Sequence, residues 1–295
     1  MCLYLIKYIS IFNYMEKYIS EYQNYNKKIA FDFKTSDDFC GGIGDYIKYL
    51  SFLIKIGIKY NIAVFCINYN NISDEYLKFI YDIMYIKLSD ISDNMIIIES
   101  NHKFKTEEEF NQLKSEIFHV INPASLFGFD KNSYSINNKS FFDNNINLYD
   151  IFYFDDKVIK NVPNYLKNTK YISIHVRIGC FAHLDNPNVS SFNEDNLDRF
   201  ISEKKDSTPI FLCTDSIILK KKLQEKYKHI LITDFDIAHT GDIHATKKSI
   251  LNTITELLIL ANSEAIFTAD ENRVSGFPLV ASKFKNINFS KLYKN

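Results

Sequence analysis

The sequence predicts an α/β fold with two Rossmann-like domains facing across a cleft, and three observations carry that prediction. Short apolar runs of strand length alternate with segments of helical periodicity. The alternation comes in two series, separated by the Asn- and Ser-rich segment 132–147. The chain has 295 residues, of which 46% are hydrophobic, enough for two domains that each bury a core. The expected division is 1–150 and 151–295.

In the first series, Lys28–Phe33 (KIAFDF) reads as a strand, followed by a polar loop containing Gly41, Gly42 and Gly44. Asp45–Ile58 has helical periodicity, with apolar residues at Ile47, Leu50, Leu53 and Ile54. Ala63–Ile67 reads as a strand, Asp74–Tyr85 as a helix, Met95–Ile98 as a buried strand and Thr106–Phe118 as a helix with an acidic first turn. In the second series the expected strands are Tyr171–Val176, Pro209–Cys213, His229–Ile232 and Ala265–Thr268. The expected helices are Asn193–Lys204, Ser216–Tyr227, Ser249–Ala261 and Ser275–Phe284. Strand–helix alternation of this kind gives a largely parallel sheet, and ligands of such sheets bind beyond the carboxyl ends of the strands.

Charge narrows the function classes. Thirty-five Lys and Arg against 36 Asp and Glu leave a formal net charge of -1, so no basic field points to nucleic acid and any anion site is local. The five cysteines, Cys2, Cys40, Cys66, Cys180 and Cys213, contain no CxxC pair and are odd in number. A zinc ribbon or disulfide framework is disfavoured, and a reducing compartment is the simpler reading. The apolar start MCLYLIKYISIFNYM is interrupted by Lys7 and falls short of the roughly 20 residues of a spanning helix. It predicts an amphipathic helix, no transmembrane segment and a cytoplasmic protein.

Four segments could carry chemistry. In YISIHVRIGCFAHLD, His175 and Arg177 share one face of a strand that runs into Gly179. An arginine there can fork onto a phosphate, or simply pair with a carboxylate between strands. In PIFLCTDS, Asp215 and Ser216 follow a strand and open a helix, the ordinary place for a cap. In AIFTADENRVSGFPLVA, Ser275 and Gly276 precede a helix whose free N–H groups could hold a phosphate. The run Gly41–Asp45 can approach a ligand closely or make a tight turn. The loop with His239, Asp242 and His244 lacks strict metal-ligand spacing, so no metal site is assigned.

In order, the elements HVRIG, FLCTDS, LITDFD, TELLILANSEAIFTA and SGF resemble the fucosyltransferase superfamily, nearest to the core N-glycan and Nod-factor branches. The resemblance is firm from Tyr171 onward. It implies a GT-B arrangement and an inverting, metal-independent transferase, with GDP-fucose as donor and a glycan or other hydroxyl as acceptor. It implies no separate cofactor. By the same resemblance Arg177 binds the donor's phosphates, His175 lies near the guanine, Glu256 contacts guanine and Ser275 binds phosphate. Gly42, Gly44, Asp215 and Gly276 join the donor set. Asp185 stands where the core branch has its catalytic carboxylate, with Asp45 and His183 as the next candidates. Cys180 stands where the motif has Asp, the lysine accompanying that carboxylate is absent, and the loop Asp270–Val274 is longer.

The transfer such a family performs needs a base for the acceptor hydroxyl and positive potential for the departing diphosphate. A carboxylate can supply the first, at about 10²–10⁴-fold in rate. A guanidinium with helix N–H groups can supply the second. Competing readings are a GT-B transferase for another sugar nucleotide, a GDP- or glycan-binding relative without activity, and a metal-dependent phosphohydrolase built on HTGDIH.

Overall fold

The computed structural model describes residues 21, 24, 25, 27–31, 43–66, 84–86, 117–120, 147–178, 192–204, 208–237, 245–270 and 275–292. The chain divides into two compact units. The first comprises Met1–Cys40, Asp45–Lys78 and Ile86–Tyr153; the second comprises Gly41–Gly44, Phe79–Tyr85 and Phe154–Asn295.

In the first unit, strand β1 (Lys27–Phe31) leads to helix α1 (Ile43–Tyr60) and strand β2 (Ile62–Cys66). Ile47, Leu50, Leu53 and Ile54 are fully buried, as the periodicity of this helix predicts. β1 lies between β2 and β4 (Ile117–Val120), parallel to both, with Ile29 opposite Val64 and Phe118. Two expected helices end differently. Met84–Ile86 is strand β3, and Ile117 and Phe118 belong to β4, so the helical readings of Asp74–Tyr85 and Thr106–Phe118 fail at their C-terminal ends. Both ends are short runs of aromatic and branched residues, which strands favour and periodicity alone does not resolve. The rest of those two segments, the expected strand Met95–Ile98 and the N-terminal amphipathic helix lie outside the described residues.

Strand β5 (Phe152–Phe154) and the short helices α2 (Asp156–Asn161) and α3 (Asn164–Lys167) precede the second series and were not anticipated. From there the second unit follows the predicted alternation closely: β6 (Ile172–Val176), α4 (Glu194–Glu203), β7 (Ile210–Thr214), α5 (Ile217–Lys226) and β8 (Ile230–Leu231). Then come α6 (Lys247–Ala261), β9 (Ala265–Thr268), α7 (Gly276–Lys283) and β10 (Asn288–Lys291). Side-chain caps explain where three of the helices begin. The Asn193 oxygen accepts from the Asn196 N–H, Ser216 Oγ accepts from Leu219, and Thr246 and Ser249 form a reciprocal capping box.

The five strands are all parallel, in the order β10-β9-β6-β7-β8. The chain thus builds outward from β6 to β8, returns across the sheet, and continues through β9 to β10. This is the doubly wound order, and its switch point lies between β6 and β9. Helices cover both faces. Ile174 and Val176 of β6 pack with Leu197, Phe200 and Ile201 of α4 and with Leu219 and Leu223 of α5. The opposite face is roofed by α6, which is buried over nearly its whole length; the Tyr171 hydroxyl donates to the Ile259 carbonyl at 2.8 Å. On this face Thr268, His175 and Cys213 stand side by side across three strands, all buried. A polar row at the carboxyl edge of the sheet is where the fold would place a ligand. Among the described residues, no helix is long and apolar enough to cross a membrane.

Candidate functional site

The switch point gathers three chain segments at the carboxyl ends of β6, β7 and β9. Beyond β6 the backbone turns out through Arg177 and Ile178. Each of their N–H groups is held by a carboxylate from a flanking strand: Asp270, beyond β9, accepts from Arg177 at 3.5 Å. Asp215, beyond β7, accepts from Ile178 at 2.8 Å. The two flanking turns are built alike. Thr214 Oγ1 accepts from the Ser216 N–H at 3.2 Å, and Thr268 Oγ1 accepts from the Asp270 N–H at 3.3 Å. A threonine closing each strand therefore bends the next residues toward the β6 exit.

The third segment is the start of α7. Ser275 is its N-cap by position, but its side chain makes no capping hydrogen bond. Its N–H donates instead to Asp270 at 3.2 Å. The first-turn N–H groups of Gly276 and Phe277 are thus not taken up by a cap, and Pro278 has no N–H to satisfy. With the positive end of the helix dipole, uncapped N–H groups of this kind suit an anion. Gly44, a residue of the second unit, packs against Gly276 and Phe277. A Cβ built on it would lie 2.9 Å from both the Gly276 carbonyl carbon and the Phe277 nitrogen. Only glycine fits there without displacing backbone.

His175 completes the group. It is 7% exposed, its ring lies 6.0 Å from that of Phe277, and its Nδ1 is buried without a hydrogen-bond partner. An unpaired buried nitrogen costs about 1–3 kcal/mol, which a ligand or water can recover. Burial pushes the His175 imidazole below its ordinary value; Asp270 and Asp215 oppose that, and Arg177 adds to it. A depressed imidazole binds fewer protons folded than unfolded, so its contribution is complete above the unfolded value, about 6.5, and declines as pH falls below it. Wild-type protein should therefore lose more melting temperature between pH 7 and pH 5 than His175→Asn. Equal pH dependence in the two proteins would contradict a buried neutral His175.

Of the residues singled out from the sequence, His175, Arg177, Asp215, Gly44, Ser275 and Gly276 come together here. Gly42, Asp185 and His183 lie outside the described residues, as does the loop with His239, Asp242 and His244. Asp45 belongs to α1. Among the described residues, no group of three or more His, Cys, Asp or Glu side chains could hold a metal ion.

Glu256 sits elsewhere, on the inward face of α6. Lys220 Nζ donates to its Oε1 at 2.6 Å, Thr233 Oγ1 bonds the same oxygen, and Cys213 Sγ donates to Oε2 at 3.1 Å. Lys220 and Glu256 are each 1% exposed. Burial, reinforced by Glu256, pushes the Cys213 thiol well above its usual range, which keeps it a donor. As folded, the Glu256 carboxylate is engaged within the protein and closed to solvent. The residue that sequence reasoning missed is Asp270. The available signal was the repeat of a strand-ending threonine followed closely by Asp, in CTDS and in FTAD.

The chain is similar in fold to NodZ alpha-1,6-fucosyltransferase co-crystallized with GDP, at a TM-score of 0.54 and 10% identity. The match covers 86% of this chain and 91% of that one. It is similar to a mutant of Arabidopsis thaliana FUT1 in complex with GDP, at a TM-score of 0.55 and 11% identity, covering 98% of this chain and 79% of that one. The corresponding values for POFUT1 in complex with GDP are 0.50, 9%, 91% and 99%. No protein-family profile matches the sequence, and no curated protein does. At these identities the likeness is one of fold, and at that level the expected likeness to fucosyltransferases holds: a mixed α/β architecture with a parallel sheet.

Proposed function

We propose that this protein is an inverting fucosyltransferase that binds GDP-fucose at the β6–β9 switch point and passes fucose to a hydroxyl acceptor. The observation that carries the reading is the convergence of Arg177, the uncapped start of α7 and the unpartnered His175 Nδ1 at one rim of the sheet. The fold is one in which solved fucosyltransferases hold GDP. Arg177 and the Gly276 and Phe277 N–H groups balance the diphosphate charge, which grows as the sugar–phosphate bond breaks. The acceptor oxygen bonds to the anomeric carbon, GDP leaves with the bonding pair, and the acceptor proton passes to a base. We assign that base to Asp185. Its segment leaves the described structure at Ile178, tied to Asp215, and re-enters at Phe192, which bridges to Asp270. Both ends are therefore anchored on this rim.

Thermal shift with nucleotides tests the donor. GDP and GDP-fucose should stabilise the protein by about 2.7 kcal/mol at 100 times the dissociation constant, and UDP or ADP ligands by clearly less. The shift and any transfer should persist in EDTA, because protein groups supply the positive potential. Equal shifts with every nucleotide, or none with GDP, would overturn the assignment. GDP binding without turnover would instead favour an inactive relative, the reading that Cys180 in place of Asp raises.

A further inference from the structure

Asp270 is 2% exposed, and among the described residues it forms no ion pair. Among the described residues its carboxylate is met by two backbone groups: Oδ1 by the Arg177 N–H and Oδ2 by the Ser275 N–H, at 3.5 and 3.2 Å. A buried carboxylate needs hydrogen-bond donors of this kind. Here it joins two residues 98 apart in sequence, each opening one half of the anion-binding rim. Thr268 Oγ1, itself buried, fixes the Asp270 backbone at 3.3 Å, and the bridge to Phe192 holds it from the other side.

From this geometry we infer that Asp270 is a positioning residue: it locks the β6 exit to the start of α7, so that Arg177 and the Gly276 and Phe277 N–H groups meet one diphosphate. The inference deepens the donor reading and rests on it. Asp270 touches no ligand atom in this role. It works by fixing the distance between two groups that would otherwise move independently, which lowers the cost of bringing both onto the same phosphate pair.

The test compares GDP with guanosine on Asp270→Asn. Asparagine keeps the size and one acceptor oxygen but turns an NH2 toward one of the two N–H donors, so one arm of the tie is lost. GDP should bind about tenfold more weakly and guanosine as in wild type, since only the diphosphate needs both halves of the rim. Amide hydrogen exchange on ligand-free protein should rise at Arg177 or Ser275, and not across the sheet. A parallel loss of GDP and guanosine affinity with general exchange would show a merely structural role. Unchanged GDP affinity would overturn the proposal while leaving the donor reading intact. If wild type binds no GDP, the donor reading falls, and with it the diphosphate role of Asp270; the exchange data then decide the tie alone. If Asp270→Asn does not fold, Thr268→Val frees the Asp270 N–H while preserving shape. It should lower the ratio of GDP to guanosine affinity about threefold, and an unchanged ratio overturns the inference.

Discussion

Replacing Arg177 with alanine is expected to weaken GDP and GDP-fucose binding by at least about 100-fold while leaving the melting temperature of the ligand-free protein nearly unchanged. Hydrogen bonds to charged groups contribute about 1.5–3 kcal/mol each, and a forked guanidinium makes two of them. The side chain lies beyond the last residue of β6 and is only part-buried, while the backbone of the turn is held by Asp270 and Asp215. These backbone ties do not depend on the guanidinium, so the fold is expected to survive its removal. Arg177→Lys should recover little, because a point charge cannot fork onto two phosphate oxygens. Titration calorimetry with GDP, together with the ligand-free melting curve, checks both halves. An unfolded Arg177→Ala, or one that binds GDP normally, would assign the guanidinium to the scaffold.

The largest expected effect on stability belongs to Lys220. It reaches Glu256 at 2.6 Å and Thr233 Oγ1 at 3.1 Å, and the pair is sealed from water. Lys220→Ala leaves the Glu256 charge buried and unpaired, at a cost of about 3–5 kcal/mol. For a domain of this size the melting temperature should fall on the order of 10 °C. Lys220→Met combined with Glu256→Leu should recover much of the loss, because apolar groups of similar volume do not need the compensating partner. The double replacement also addresses the guanine contact that resemblance assigns to Glu256. With Glu256 engaged in the core, the refolded double variant should keep its preference for GDP over UDP. Loss of that preference in a stable double variant would return Glu256 to the ligand.

The second unit was legible because its signals agree. Apolar runs such as IFLCT end at Thr, Asp or Ser, and the helices that follow begin at side chains that cap them. Asn193 and Ser216 are the N-caps of α4 and α5, one position before the first helical residue. β10 escaped because an edge strand reading NFSK carries no apolar run. β5 escaped for its length, three residues being too few for a period to show. In the first series, Met84–Ile86 and Ile117–Val120 were drawn into helices by flanking periodicity, although their aromatic and branched residues suit strands. The donor-side residues were readable as positions after strands, since a doubly wound sheet puts ligands there. Their connections were not. That Asp215 and Asp270 accept from successive N–H groups just beyond β6 depends on β6 lying between β7 and β9, and sequence order alone does not give that adjacency. Glu256 shows the opposite limit. Its segment placed it correctly on a helix, but the face it presents to Lys220 is set by packing between α6 and the β7–α5 layer.

On the proposed reading a nucleoside diphosphate sits where β6 ends and α7 begins. Amide chemical-shift mapping of the wild-type protein during a GDP titration would locate it. The largest saturable changes should fall on Arg177, Ile178, Gly276 and Phe277, with the His175 ring responding in the same titration. Changes centred on other elements, or a spectrum that GDP leaves unaltered, would rule out a diphosphate at this rim.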